Sequence, residues 1–307
     1  MRVAIIGAGA MGGVLGFYLS AGAEVVLVDG WAEHVAEINA SGLRCEVGGV
    51  GQARPVRAVT DPAQAGPVDA AIILVKARQT PWAAGVAQAV LGPVAVAYTL
   101  QNGVGNREAL AASLGAGRVG QGVTSLGGTL LGPGRVRHAG MGPTVFGATP
   151  SRQAAESLAA LFRSCGLPSE VSDEIDSLVW GKLLVNVGIN ALTALLRVPN
   201  GALAALPQAR DLLAQAVGEA AAVAAARGTA LPYADPVGHV LSVAEATAAN
   251  RSSMLQDVLR GGPTEVATIN GAVVREGARL GVPTPLNSAL LALVAALDES
   301  ADRRISS

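Results

Sequence analysis

The sequence predicts an α/β protein in two parts, a parallel sheet with crossover helices over residues 1–171 and an all-α domain over 172–307. Three observations lead there. Short apolar runs alternate with helical patterns through the first half. A glycine cluster stands between the first strand and the first helix. After about residue 172 the pattern becomes sustained helical periodicity. A chain of 307 residues is long enough to bury two cores.

The runs Val3–Ile6, Val25–Val28, Ala70–Val75 and Val94–Tyr98 are short and continuously apolar, as strands buried on both faces are. Helical patterns lie between them at Met11–Ala21, Ala32–Ala40 and Trp82–Val90, which implies parallel strands joined by crossovers. Residues 122–149, rich in Gly, Thr and Val, read as further strands finishing the sheet, with a tight turn at Gly132-Pro133-Gly134. A helix is expected near 152–164. Beyond 172 the helical pattern runs through 174–196, 202–227, 236–259, 264–280 and 286–298. Pro199, Pro207, Pro232, Pro263, Pro283 and Pro285 fall at the breaks. The tail Arg303–Ser307 is expected to fray.

Composition excludes several function classes. The 22 Lys+Arg against 23 Asp+Glu remove the electrostatic case for a nucleic-acid or anionic-membrane partner. Aromatics at 3% argue against a stacking surface for single-stranded nucleic acid. Half the residues are hydrophobic, yet the long apolar runs are interrupted, 86–100 by Gln88, Gly92 and Pro93, and 209–226 by Arg210, Asp211 and Glu219. None offers the roughly 20 clean residues of a spanning helix, so a soluble chain is expected. Cys45 and Cys165 have no metal-ligand or disulfide-framework spacing, and no metal is expected. With no signal-peptide pattern at the N-terminus, the expected location is cytoplasmic. Low charge and abundant apolar residues leave room for a homodimer.

Gly7-Ala8-Gly9-Ala10-Met11-Gly12 follows the first strand and opens the first helix. There the first glycine permits the tight turn, the second lets the backbone approach a pyrophosphate, and the third allows helix and strand to pack closely. The phosphates then meet the free N–H groups of the helix start. This makes the first domain a Rossmann-type dinucleotide-binding domain, with these six residues as cofactor contacts. Asp29 ends the second strand, where a carboxylate accepts hydrogen bonds from ribose hydroxyls and repels a 2′-phosphate. It tilts the choice toward NADH, although Asp29-Gly30 also reads as an ordinary turn. Lys76, Gln79 and Gln101-Asn102-Gly103 follow the third and fourth strands, at the carboxyl ends where open α/β sheets bind ligands. A solvated lysine and a plain Asn-Gly turn are the alternatives.

On the helical side, Lys182, Asn186 and Asn190 stand four residues apart in an otherwise apolar stretch, so one ammonium and two carboxamides share one helix face. Buried without partners, such a stripe would cost about 1–3 kcal/mol per unsatisfied group. A solvent-facing stripe or an internal polar network are the other readings. A second polar group follows in Asn250-Arg251-Ser252-Ser253-Met254-Leu255-Gln256-Asp257 and in Thr264-Glu265. Taken alone, both read best as helix starts.

The whole set of elements resembles the ketopantoate reductase (2-dehydropantoate 2-reductase) family. The elements are Gly7–Gly12, Lys76, Gln101-Asn102-Gly103, Trp180-Gly181-Lys182 with Asn186 and Asn190, Ser252 to Asp257, Thr264-Glu265 through Ile269-Asn270-Gly271, and Gly281 to Asn287. They cover nearly the whole chain in order. The resemblance implies a nicotinamide-dependent reduction of a 2-oxo acid, 2-dehydropantoate, to pantoate on the route to pantothenate and coenzyme A. It implies Lys182 as general acid, Glu265 as the carboxylate that orients it and binds a substrate hydroxyl, and Asn186 and Asn190 on the substrate's hydroxyl and carbonyl groups. Asn250 and Ser253 would hold the polar end, Ser253 on the carboxylate. Asn102 would sit by nicotinamide and substrate, Lys76 beside the cofactor, and Asn200 on the substrate side, although Pro199-Asn200-Gly201 is also turn chemistry.

One position departs from the family. Many members carry a basic residue, usually arginine, just after the second strand, suited to the 2′-phosphate of NADPH. Here that place reads Asp29-Gly30-Trp31, with no Arg or Lys between Arg2 and Arg44. NADH is therefore favoured, NADPH being the family-common alternative. A paralogous 2-oxo-acid or hydroxy-acid dehydrogenase is the nearest other function. A non-catalytic dinucleotide-binding regulator would have no need for Lys182, Asn186 and Glu265 together.

Overall fold

In the computed structural model, residues 1–303 are described; 304–307, most of the tail expected to fray, lie outside the described residues. The chain forms two compact units, the first comprising Met1–Gln101 and Asn106–Ile175, the second Asn102–Gly105 and Asp176 onward. The sequence division at 171/172 thus lies slightly upstream of the structural one, and it gave no sign that Asn102–Gly105 belongs with the helical unit.

The first unit is built on an eight-stranded sheet. Its strands are β1 (Arg2–Ile6), β2 (Glu24–Val28), β5 (Arg57–Val59), β6 (Val68–Ile73), β7 (Leu91–Thr99), β8 (Val119–Thr124), β11 (Thr144–Gly147) and β12 (Ser169–Ser172), in the order β12-β11-β8-β7-β6-β1-β2-β5. All neighbours are parallel except β8 and β11. Alternation within β1 shows why this sequence chose a strand. Val3 and Ile5 point into one apolar layer with Val14, Phe17 and Leu27, while Ala4 and Ile6 point into the opposite layer with Val26, Ile73 and Val86. Helices α1 (Ala10–Leu19), α2 (Ala32–Ser41), α3 (Thr80–Val90), α4 (Asn106–Leu114) and α5 (Arg152–Ser164) cover the sheet. Ser151 caps α5 by accepting from Ala154 N–H at 3.2 Å.

Residues 122–149 do not all finish this sheet, as the sequence reading expected. β8 and β11 do, but β9 (Gly127–Gly132) and β10 (Arg135–Gly140) form a hairpin around the Gly132-Pro133-Gly134 turn and leave it. They join β3 (Leu43–Val47) and β4 (Val50–Arg54) in a separate four-stranded sheet ordered β4-β3-β10-β9.

The second unit is helical, as expected: α6 (Ile175–Leu196), α7 (Gly201–Ala205), α8 (Pro207–Arg227), α9 (Pro236–Ala246), α10 (Ser253–Leu259), α11 (Asn270–Leu280) and α12 (Pro285–Glu299). Three continuous patterns are broken in the structure. The pattern at 202–227 splits at Leu206, where Pro207 starts α8; 236–259 is interrupted between α9 and α10; and 264–280 begins with a short 3-10 turn at Val266–Thr268. Helix α6 is long and apolar enough to cross a membrane, which the interrupted runs did not suggest. It is a core helix: Trp180, Leu183, Leu184, Val187, Ile189 and Leu192 are buried among apolar side chains of α8, α9 and α11. Polar staples lock the bundle. Asn287 donates through Nδ2 to Ala216 C=O at 3.0 Å and to Glu219 at 2.8 Å, and Glu219 also accepts the N–H groups of Leu286 and Asn287. Asn270 donates to Asn287 Oδ1 at 3.0 Å. The Asn270 and Asn287 elements of the sequence pattern are therefore helix-to-helix ties.

Candidate active site

The glycine loop is shaped by contacts no side chain would allow. Gly7 has φ +95° and a Cβ on it would lie 2.8 Å from Val75 N, while a Cβ on Gly12 would run into the Gly7 carbonyl. Gly9 by contrast faces open space. The first N–H used inside α1 is that of Gly13, donated to Gly9 C=O at 2.8 Å, and no side chain caps the helix. The N–H groups of Ala10, Met11 and Gly12 are thus the unspent donors of a helix start, next to an open surface. This cradle fits a pyrophosphate. Ala8 differs from its neighbours. Its N–H donates to Asp29 Oδ2 at 2.7 Å and its C=O accepts from His34 Nε2 at 3.0 Å, so both its peptide groups are spent on the protein.

Asp29 is half-buried at the end of β2 and its other oxygen accepts the Trp31 N–H at 2.9 Å. Each carboxylate oxygen retains a lone pair for a further donor. Arg44, the first basic side chain after Arg2, pairs with Glu37 at 3.4 Å. His34, which the sequence reading did not single out, is fully buried; its Nδ1 accepts from Gly134 N–H at 3.0 Å. That assigns the proton to Nε2, the nitrogen facing Ala8. Lys76 is half-buried just past β6. Gln101 is a tie: its Nε2 donates to Val75 C=O at 2.9 Å and to Thr80 Oγ1 at 3.0 Å, and its Oε1 accepts from Thr99.

In the helical unit, α6 carries Lys182, Asn186 and Asn190 on one face, as the spacing predicts. Glu265 is 7% exposed, in the segment leading to the 3-10 turn. Thr264 holds that segment by donating its N–H and its hydroxyl to Asp298 Oδ2 at 3.0 and 2.7 Å. Asn102 reaches Glu265, its Nδ2 donating to Oε2 at 3.3 Å. Its neighbour Gly103 has φ +82°, and a Cβ there would collide with the Thr268 carbonyl, which also accepts the Val104 N–H at 3.3 Å. Part of the Lys182 surface stays accessible, yet loss of solvation around its ammonium pushes the pKa down to about 8; the Glu265 carboxylate pulls the other way.

Further along the same face, Asn190 is buried and donates to Ser253 Oγ at 3.3 Å. Ser252 is the cap of α10, accepting from Leu255 N–H at 3.1 Å, and lies 2.7 Å from the Thr193 hydroxyl. The helix-start reading thus holds for Ser252, and Ser253 is left exposed at the first helical position. Asn200 is buried and donates to Thr247 Oγ1 at 2.9 Å, while its backbone N–H bonds the Asn250 carbonyl at 3.0 Å. The Asn200 Oδ1 is buried without a partner. The Asn250 side chain is exposed, and only its backbone is tied to this group. Asp298 and Thr193 carry no sequence signal of their own. An ammonium that exchanges its proton near neutral pH, a buried carboxylate beside it and amides in line suit proton donation to an oxygen of a small polar substrate.

Residues 3–151 match the family described as "Ketopantoate reductase PanE/ApbA", and residues 174–298 match "Ketopantoate reductase PanE/ApbA C terminal". The 2-dehydropantoate 2-reductase of Halobacterium salinarum is 37% identical over 96% of this chain and 98% of its own length. Among solved structures, a PanE/ApbA family ketopantoate reductase from Ralstonia eutropha JMP134 superposes with TM-score 0.91 at 36% identity, covering 98% of this chain and all of the other. D-mandelate dehydrogenase, solved with NADH and anilino(oxo)acetate, superposes with TM-score 0.91 at 31% identity, covering 98% of this chain and 99% of its own.

Proposed function

The chain belongs to the ketopantoate reductase family, and from that premise we propose that it reduces 2-dehydropantoate to pantoate with a nicotinamide dinucleotide, Lys182 delivering the proton. The observation that carries the reading is the joint placement of Lys182, Asn186 and Asn190 on one face of α6 with Glu265 buried beside the lysine. When bound, the reduced nicotinamide supplies hydride to the C2 carbonyl carbon of the substrate.

The protein's own residues do the rest. Ala10, Met11 and Gly12 offer backbone N–H groups to the pyrophosphate, with Gly7 and Gly9 keeping the approach open and Ala8 holding the loop to Asp29. Lys76 stands at the carboxyl end of β6, on the side of the sheet where cofactors bind. Lys182 places positive charge where the C2 oxygen becomes negative, then gives that oxygen its proton and becomes a neutral amine. Glu265 keeps the ammonium charged despite its dry surroundings and orients it, and Asn102 holds Glu265. Asn186 and Asn190 bind the hydroxyl and carbonyl oxygens. Ser253, which already accepts from Asn190, uses its exposed hydroxyl on the carboxylate, with Asn250 and Asn200 completing the polar end.

The proposed cofactor is NADH. Asp29 stands where a 2′-phosphate would require a cation, and its free lone pairs suit ribose hydroxyls. The NADH complex of the D-mandelate dehydrogenase supports the same choice. That neighbour also keeps a second reading open to test, a hydroxy-acid dehydrogenase with a different side-chain pocket. The proposed location is the cytoplasm, in keeping with two free thiols, Cys45 and Cys165. The test is the initial rate of cofactor oxidation with 2-dehydropantoate, run in parallel with NADH and NADPH and against a series of other 2-oxo acids. Fast turnover with NADH is expected. Turnover only with another 2-oxo acid would replace the substrate, and faster turnover with NADPH would remove the role given to Asp29.

A further inference from the structure

Trp31 is one of two tryptophans with much of their surface exposed, the other being Trp82. Only nine aromatic residues are Phe, Tyr or Trp, and Phe17, Phe146, Phe162 and Tyr98 are buried in the core. Trp31 is 39% exposed, immediately before α2 and two residues after the carboxylate that ends β2. It is nevertheless held firmly. Its backbone N–H is bonded to Asp29 Oδ1 at 2.9 Å, and its indole lies flat on the His34 imidazole, ring centroids 5.0 Å apart and planes 9° from parallel. His34 is itself fixed at both nitrogens, to Ala8 C=O and Gly134 N–H. One flat face of the indole is therefore propped by a rigid ring, and exposed surface remains for another flat group.

The position of this surface says what that group is. The Asp29 carboxylate binds the glycine loop through one oxygen and the Trp31 backbone through the other. Phosphate cradle, ribose carboxylate and indole are thus consecutive along one bonded path, in the order phosphate, ribose, base of an adenosine nucleotide. We propose that Trp31, backed by His34, is the platform on which the adenine ring of the dinucleotide stacks. This rests on the dinucleotide reading of the glycine loop and adds to it a base contact supplied by one side chain. An indole accepts a purine through dispersion and π-stacking without hydrogen bonds to the base edge, so adenine and hypoxanthine forms of the cofactor bind alike.

The experiment is calorimetric titration of the cofactor-free protein with NADH and with ADP-ribose, for the parent, Trp31→Ala and Trp31→Phe. The alanine variant should bind both ligands about tenfold more weakly, and the phenylalanine variant should recover most of the loss. ADP-ribose should quench part of the parent's tryptophan fluorescence and none of that part in Trp31→Phe, which retains Trp82 and Trp180. As a control for a purely structural role, kcat/KM with reduced nicotinamide mononucleotide, which lacks adenine, should be the same in parent and Trp31→Ala. ADP-ribose affinity unchanged in Trp31→Ala, or an equal loss with the mononucleotide, would overturn the proposal. A parent that binds neither ligand would instead remove the dinucleotide reading on which it stands.

Discussion

Replacing Glu265 by Gln separates the two influences on Lys182. In the parent, burial lowers the ammonium pKa and the Glu265 carboxylate raises it, the balance standing at about 8. The amide of Gln keeps an oxygen to accept from Asn102 Nδ2, so the loop geometry survives while the charge is lost. Burial then acts unopposed and the pKa falls by roughly one unit or more. With Lys182 as the proposed acid, reduction draws on its protonated form, so kcat/KM for 2-dehydropantoate should be level at low pH and fall as pH rises through about 8 in the parent. In Glu265→Gln the fall should begin near pH 7 or below. With a one-unit shift, the protonated fraction at pH 8.5 drops from about a quarter to about 3%, a loss of roughly eightfold. With that shift both proteins are still about nine-tenths protonated or more at pH 6, so a difference remaining there reads the contact proposed between Glu265 and substrate. The oxidation of pantoate, which needs the neutral amine, should show the opposite slope. The assay is cofactor absorbance at 340 nm, roughly pH 5.5 to 9.5, at saturating reduced cofactor. A descending limb at the same pH in both proteins would refute the assignment, because the titrating group would then not be the neighbour of Glu265.

Lys182→Ala should lower kcat by about 10²–10⁴ while NADH affinity, read by calorimetry, stays near the parent's; a small effect on turnover would remove the proposed acid. Asp29→Arg should move the NADPH-to-NADH ratio of kcat/KM upward by about tenfold, by supplying a phosphate partner and removing a repelling charge. Because Asp29 also accepts from Ala8 and Trp31, affinity for both cofactors should drop as well, and an unchanged ratio would show that the ribose lies elsewhere. Gly103→Ala forces a Cβ into the Thr268 carbonyl at a φ of +82° and should cost about 1–3 kcal/mol in a urea melt. A variant as stable as the parent would mean that the Gly103 loop does not need its close approach to Thr268.

Much of this was legible in the sequence where the signal is local. Val3–Ile6 and the glycine spacing after it needed only neighbouring residues to be read, and the four-residue spacing of Lys182, Asn186 and Asn190 fixed their common face. The small sheet was missed for a physical reason. Val50–Arg54 is exposed up to its last residue and shows no alternation of apolar residues; its one signal was the Gly48-Gly49 pair, a hairpin turn sequence. Its companions in β9 and β10 were read as strands but given to the wrong sheet, since partner choice depends on residues far away in the chain. The helical patterns ran across the breaks at Leu206 and at 247–252 because periodicity tolerates a short interruption. In the site, Glu265 was found through a family resemblance, whereas Asp298 and His34 act through partners 34 and 100 residues distant and leave no spacing to read.

The pairing of β3 with β10 sets a timetable for synthesis. Arg44 pairs with Ala53 nearby in the chain, but its partner on the other side is Arg135, and His34 receives its second hydrogen bond only from Gly134. The glycine motif leaves the ribosome first, but the imidazole that steadies its Ala8 carbonyl stays half-anchored until the hairpin of β9 and β10 has been translated. An N-terminal fragment stopping at about residue 118 would contain the whole GxGxxG signature and still lack that anchor. On the proposed dinucleotide reading, the motif and the scaffold that steadies it are thus separate lengths of chain, the second completed only when Gly134 has been added.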